Sequence, residues 1–225
     1  MSPMIQSYPC IIGISLACLS LALPASAKPS VTEQGERLPE LSFTDILGAE
    51  SGTGNYPDHI QIVSFSTKDS SEELMAWMSR MTKQVSAKYP STALVKFSFA
   101  DLTEVPGFLR PIARPILKNL IGSKIEPMQD RFTIEPAGDG LTAAKPPEFH
   151  LIPDWDGSFL RKFGHTELRD YHLYVAYKGI IFGHFTPDTP NKNEAFLGVF
   201  ETIQDGIETA KAMASPSPGQ LPTDS

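Results

Sequence analysis

Between His59 and Tyr89 the hydrophobic pattern changes period once. Ile60, Ile62, Val63 and Phe65 make a short β-branched and aromatic run, bounded by Pro57-Asp58 and by Ser66-Thr67-Lys68-Asp69. Such a run predicts a central strand covered on both faces. Leu74, Trp77, Met78, Met81 and Val85 then recur at three- and four-residue steps, so an amphipathic helix follows with that stripe against the core. Ser70 and Glu73 are spaced as a capping box at its start. Pro90 ends it, because the residue before a proline avoids the α region.

The other elements follow from similar patterns. Leu38 to Phe43 alternates and predicts a short edge strand, and Gly48 to Pro57 reads as a loop. Thr92 to Ala100 is a second strand, with Ala93, Val95, Phe97 and Phe99 on one face. Strand, helix and strand make a right-handed parallel βαβ unit. Phe108, Leu109, Ile112, Ile116, Leu117 and Leu120 have helical spacing, interrupted by Pro111 and Pro115, which predicts a kinked helix or two short ones. Met128 to Ala144 reads as an irregular excursion with a short strand at Arg131 to Ile134. Glu148 to Ile152 is a strand, and Pro153 to Gly157 a turn. Ser158 to Phe163 reads as a short strand or extended segment. Tyr171 to Tyr177 and Ile180 to Phe185 form a hairpin around Lys178-Gly179. Thr189 or Asn191 caps a last helix with a stripe of Phe196, Val199, Phe200, Ile203, Ile207 and Ala210.

The chain has 225 residues, 41% hydrophobic content and a formal net charge of −7. This fits one globular domain and argues against a nucleic-acid partner. Ile11 to Leu23 is apolar but too short to span a bilayer, and Ala25-Ser26-Ala27 is a small-x-small cleavage site. We therefore expect a signal peptide over 1–27, a domain over 28–214 with its core at about 38–210, and a Pro- and Ser-rich tail over 215–225. The product would be periplasmic or secreted. A membrane would be involved only if the segment is retained or Cys18 is lipidated. Cys10 and Cys18 are the only cysteines, and cleavage after Ala27 removes both. The mature protein would then have no thiol chemistry.

The element order is that of a thioredoxin-like α/β/α sandwich with a mixed central sheet and an inserted helical excursion. Val63-Ser64-Phe65-Ser66-Thr67 resembles the strand leading to a redoxin active-site turn. Pro153-Asp154-Trp155-Asp156-Gly157 with Phe163-Gly164, and Leu173 to Ile181, resemble the "D-x-D-G … F-G" passage and the following hairpin of extracytoplasmic redoxins. Ser70-Ser71 and Met75 match the spacing in cysteine-free YtfJ-like periplasmic proteins. The resemblance implies the fold and a catalytic Cys-x-x-Cys pair, where this chain has Ser70 and Glu73. Lys68, Asp69, Ser70, Ser71 and Glu73 thus form a degenerate active-site turn. Arg169-Asp170 stands where the family's cis-proline would be. The fold is expected to be kept and the redox reaction lost.

Four groups remain as candidate chemistry. Arg110, Arg114 and Lys118 share one helical face in a stretch without acids, a candidate surface for an acidic envelope protein partner; the plain alternative is a solvated face. His150, His172 and His184 lie in or beside predicted strands and could serve a metal carrier. A two-residue turn at Lys178-Gly179 sets Leu173 opposite His184, which puts His172 and His184 on opposite sides of the sheet. A register shift would reverse this; without one, the expectation is no metal and no cofactor. Asp154 and Asp156 are too few carboxylates for a calcium loop. Ser70 or Ser71 as a nucleophile would need a base, and His59 is the nearest in sequence. The expected function is a redox-inactive binding or assembly module of the envelope; the alternatives are a non-thiol enzyme using the turn 67–73, and a histidine-based metal carrier.

Overall fold

The computed structural model describes residues 32–119 and 148–214. The expected signal peptide, tail and Arg131–Ile134 strand lie outside these residues. A hairpin of β1 (Ser42–Thr44) and β2 (Glu50–Gly52) precedes β3 (Ile60–Ser66), α1 (Lys68–Lys88) and β4 (Leu94–Asp101). Helix α2 occupies 110–119. Then come β5 (Glu148–Asp154), α3 (Ser158–Lys162), β6 (His172–Tyr177), β7 (Ile180–Phe185) and α4 (Lys192–Ala214). The main sheet has the order β5-β4-β3-β6-β7. Strands β5, β4 and β3 are parallel, and β6 and β7 are antiparallel to their neighbours. This is the thioredoxin-like arrangement: a parallel βαβ unit beside an antiparallel hairpin, closed by a terminal helix.

The sheet separates two apolar layers. All seven residues of β3 are buried, as its unbroken run predicts. On one face Ile60, Ile62 and Leu94 meet Leu74, Trp77, Met78, Met81 and Val85 of α1 and Phe196, Phe200 and Ile203 of α4. On the other, Val63, Phe65, Phe97 and Phe99 meet Leu41, Phe43, Leu160 and Phe163. Phe65 and Phe99 stack at 4.9 Å, and the Phe163 ring stands edge-on to Phe65. Lys96 of β4 is also buried, and desolvation pushes its ammonium down to about 7.

Several local expectations are corrected. The cap of α1 is Thr67, not Ser70 with Glu73. Thr67 Oγ1 accepts from the Ser70 amide at 3.2 Å, and the Thr67 amide donates to Ser70 Oγ at 3.1 Å. The helix therefore begins directly after the strand, and Glu73 instead meets Lys192. Ser158–Lys162 is helical, not extended. Gly157 takes φ 72°, Asp156 Oδ1 accepts from the Ser158 amide, and Asp154 Oδ2 accepts from the Leu160 amide. These contacts satisfy donors that a short helix start leaves unpaired. The loop from Gly48 contains β2, which pairs with β1. Helix α2 runs through both prolines: Pro111 sits in the first turn, where a missing N–H is harmless. The α4 stripe is buried at Phe196, Phe200 and Ile203, but Ala210 is exposed. Thr189 accepts from Thr186 rather than capping α4, while Asn191 immediately precedes that helix at φ 47°.

Candidate functional site

Strand β3 delivers the chain to the position where a thioredoxin fold holds its redox thiols. Here that position is closed on itself. Besides the two Thr67–Ser70 bonds, Thr67 Oγ1 and Ser70 Oγ lie 2.9 Å apart, and Ser71 Oγ donates to the Lys68 carbonyl. Asp69 supplies negative charge in the first helical turn. His59 packs edge-on against Tyr56 at the opposite end of β3. A seven-residue strand separates it from Ser70, roughly 20 Å at 3.3 Å per residue. Neither serine therefore has His59 as a base. No cis peptide occurs among the described residues, and Arg169-Asp170 leads into β6 through a trans chain.

The histidines are arranged differently from the expectation. Leu173 pairs with Phe185, not with His184. The Lys178-Gly179 turn is the two-residue turn expected, with φ 50° and 72°, but the register shifts by one residue between Val175 and Ala176. Phe182 is the extra residue of this bulge, which turns the following side chains to the other face. Tyr174 now pairs with His184, and His172 lies on the same side. His172 Nδ1 and His184 Nε2 are 3.0 Å apart. His165, which follows α3 and was not among the sequence candidates, stacks on His172 with ring centres 3.9 Å apart. One ring nitrogen from each of the three lies within 4.8 Å of the others. His165 Nε2 and Tyr174 Oη are 2.6 Å apart, and the Tyr174 ring stacks on His184 at 4.3 Å.

Burial keeps these imidazoles neutral. Desolvation, followed by the repulsion of the other two rings, takes His172 down to about 3. Desolvation and the His165 ring take His184 down to about 4. Desolvation also lowers His165 and raises the Tyr174 phenol. Neutral imidazole is the form that offers a lone pair. His172 pairs with Phe65, so the cluster sits at the same end of the sheet as the closed turn, on the face opposite α1. His150 belongs elsewhere. Its Nδ1 is 3.1 Å from Asp45 Oδ2, and its Nε2 is 3.0 Å from Tyr56 Oη and 3.2 Å from Glu148 Oε1. Both its nitrogens are engaged, so it is a structural group on the buried face.

The basic residues also separate. Arg110 donates to the Trp155 carbonyl at 2.7 Å, and the Arg110 and Arg114 guanidinium groups lie over the Trp155 ring. Phe108, Ile112 and Ile116 are also exposed, so most of the apolar stripe expected to face the core does not. Trp155 offers the guanidinium groups the π face of its indole and, for Arg110, its main-chain carbonyl, which aliphatic side chains cannot use. Arg114 and Lys118 line a cavity of about 580 Å³ with Ile46, Leu47, Trp155 and Phe159. Asp45 also lines it, but its carboxylate already accepts from the Leu47 and Ala49 amides and meets His150. The Trp155 indole N–H is buried and has no acceptor among the described residues. Asp156 and Asp154 accept from the Ser158 and Leu160 amides at the start of α3.

The chain has a thioredoxin-like fold, and the described residues place no thiol at the turn between β3 and α1. Solved structures with a similar chain path include a putative thiol:disulfide interchange protein DsbE from Chlorobium tepidum (11% identity, 75% of this chain and 99% of that one, TM-score 0.46). BsSco, a member of the Sco family of cytochrome c oxidase assembly proteins, is similar over 77% of this chain and 96% of its own, at 9% identity and a TM-score of 0.48. A putative thioredoxin from Neisseria meningitidis covers 86% and 99%, at 13% identity and 0.41. No family model and no curated protein matches the sequence.

Proposed function

We propose that this chain is an exported binding or assembly module of the cell envelope, built on a thioredoxin fold and working without thiol–disulfide exchange. The observation that carries the reading is the cavity beside α2. Its charged donors, Arg114 and Lys118, line it beside Trp155, whose buried indole N–H has no hydrogen-bond partner among the described residues. A donor-rich, partly aromatic cavity in a protein of net −7 suits a carboxylate-bearing segment of an acidic partner. Arg110, tied to the Trp155 carbonyl, shapes this surface. The closed Thr67–Ser70 turn supports the non-thiol half of the reading.

The test uses the protein isolated from its own envelope fraction. In-cell crosslinking followed by mass spectrometry should recover an acidic protein attached through α2 or the β1–β2 hairpin. Reversing Arg114 and Lys118 to Glu should remove that product and leave folding intact. An unchanged crosslink would reject the cavity as the docking surface. The same sample should begin at Lys28 and take up no maleimide. Labelling at Cys10 or Cys18 would contradict the cysteine-free mature form.

A further inference from the structure

We propose that His165, His172 and His184 form a binding site for one divalent transition-metal ion of the zinc or copper(II) class. This goes beyond the docking reading and does not depend on it, since the cluster and the cavity share no residue. The three ligands come from three places in the fold: the chain leaving α3, the first residue of β6, and the penultimate residue of β7. Their nitrogens converge within 4.8 Å. Three imidazole nitrogens around a tetrahedral ion at about 2.05 Å are roughly 3.3 Å apart. The His172–His184 separation of 3.0 Å is already near that, and metal binding would reorient the His165 ring, which stacks on His172 with ring centres 3.9 Å apart, to bring its nitrogen in.

Three features favour a ligand site over plain packing. The Phe182 bulge gives up a regular ladder and brings His184 onto the face of His172. Without it, the two would lie on opposite faces. Among the described residues the His172–His184 pair has hydrogen bonds only to each other, through the same two nitrogens that a bound ion would take in place of the shared proton. Tyr174 meets His165 Nε2 and stacks on His184, holding two of the three rings. Donation of Nε2–H to the Tyr174 hydroxyl leaves the His165 Nδ1 lone pair for a metal, as outer-shell partners of ligating histidines do.

The donor set selects the ion. There is no thiolate and no carboxylate in the cluster, so calcium and magnesium are disfavoured, whereas imidazole suits zinc and copper. Three protein ligands leave at least one position for water or an exchangeable ligand. His172 and His184 are half-buried rather than sealed, so the ion can enter and leave.

The test is titration of the untagged, chelator-treated full chain with zinc chloride and, separately, with copper(II) sulfate. One ion per chain should bind by calorimetry and survive desalting. The copper form should show hyperfine coupling to several nitrogens in its paramagnetic resonance spectrum. His165→Ala, His172→Ala and His184→Ala should each abolish stoichiometric retention, whereas His59→Ala should leave it unchanged. Tyr174→Phe should weaken binding by about tenfold. One-to-one binding that survives all three site variants would overturn the proposal, as would absence of retained metal in the native chain. Should a variant fail to fold, zinc-induced shifts of the His165, His172 and His184 ring resonances in the native protein decide the matter; shifts at other histidines only would overturn it.

Discussion

Acidification of the metal-free protein from pH 7 to pH 5 tests the packing of the histidine cluster quantitatively. His172 and His184 have folded pKa values of about 3 and about 4, against 6.5 when unfolded. Both forms are neutral above 6.5. Below it the unfolded chain takes up protons that the folded chain refuses, so stability falls with pH until the folded values are reached. At pH 5 each folded group is still neutral. The loss per group is therefore set by the 1.5 units between 6.5 and 5, about 2 kcal/mol at 1.36 kcal/mol per unit. Both groups together give a ceiling of about 4 kcal/mol, a large part of an ordinary domain stability of 5–15 kcal/mol. His165 acts in the same direction. Asp154 acts in the opposite direction, because burial raises its pKa and the folded state binds its proton more tightly. Urea unfolding at the two pH values, for the native chain and for His184→Gln, removes that term by subtraction. The native chain should lose about 2 kcal/mol more than the variant. Equal losses in both, or a His184 ring titrating near 6.5 by NMR, would refute the assignment of a buried neutral cluster.

Other positions give independent checks. Thr67→Ala removes the side-chain acceptor for the Ser70 amide and should cost about 1 kcal/mol in urea unfolding, with metal retention unchanged. Leu74→Ala, at a fully buried position between α1 and the sheet, should cost 2–5 kcal/mol, on the order of other core truncations. Gly183→Ala would place a Cβ 2.7 Å from the Phe185 ring and 2.9 Å from Val199 on α4. Forcing the helix outward should cost about 1–3 kcal/mol, read as a lower melting temperature.

The fold was legible because its signals are periodic. The unbroken apolar run of β3 and the α1 stripe both appear where their spacing puts them, with every stripe residue buried. The Lys178-Gly179 turn was legible because two consecutive positive φ values demand such residues. The candidate site was not legible as one cluster of three histidines, for two physical reasons. A sheet period of two converts a single inserted residue into a change of face, and Phe182 carries no bulge signal in its side chain. His165 escaped because Ser158–Lys162 looks extended until the caps from Asp154 and Asp156 are seen to make a helix that turns the chain back over the sheet. The same holds for Arg110 and Arg114. Helical spacing groups them correctly, but only the position of Trp155 decides that both guanidinium groups rest on an aromatic ring.

The central claim is a thioredoxin-like frame whose β3–α1 turn is closed on itself and whose sheet face opposite α1 offers three converging imidazoles. The most direct measurement is an anomalous-scattering map from crystals of the full chain loaded with zinc, collected on both sides of the zinc edge. The account predicts one strong peak about 2.1 Å from a ring nitrogen of each of His165, His172 and His184. A peak at other side chains, or none at the cluster while His172 and His184 remain paired, would contradict it.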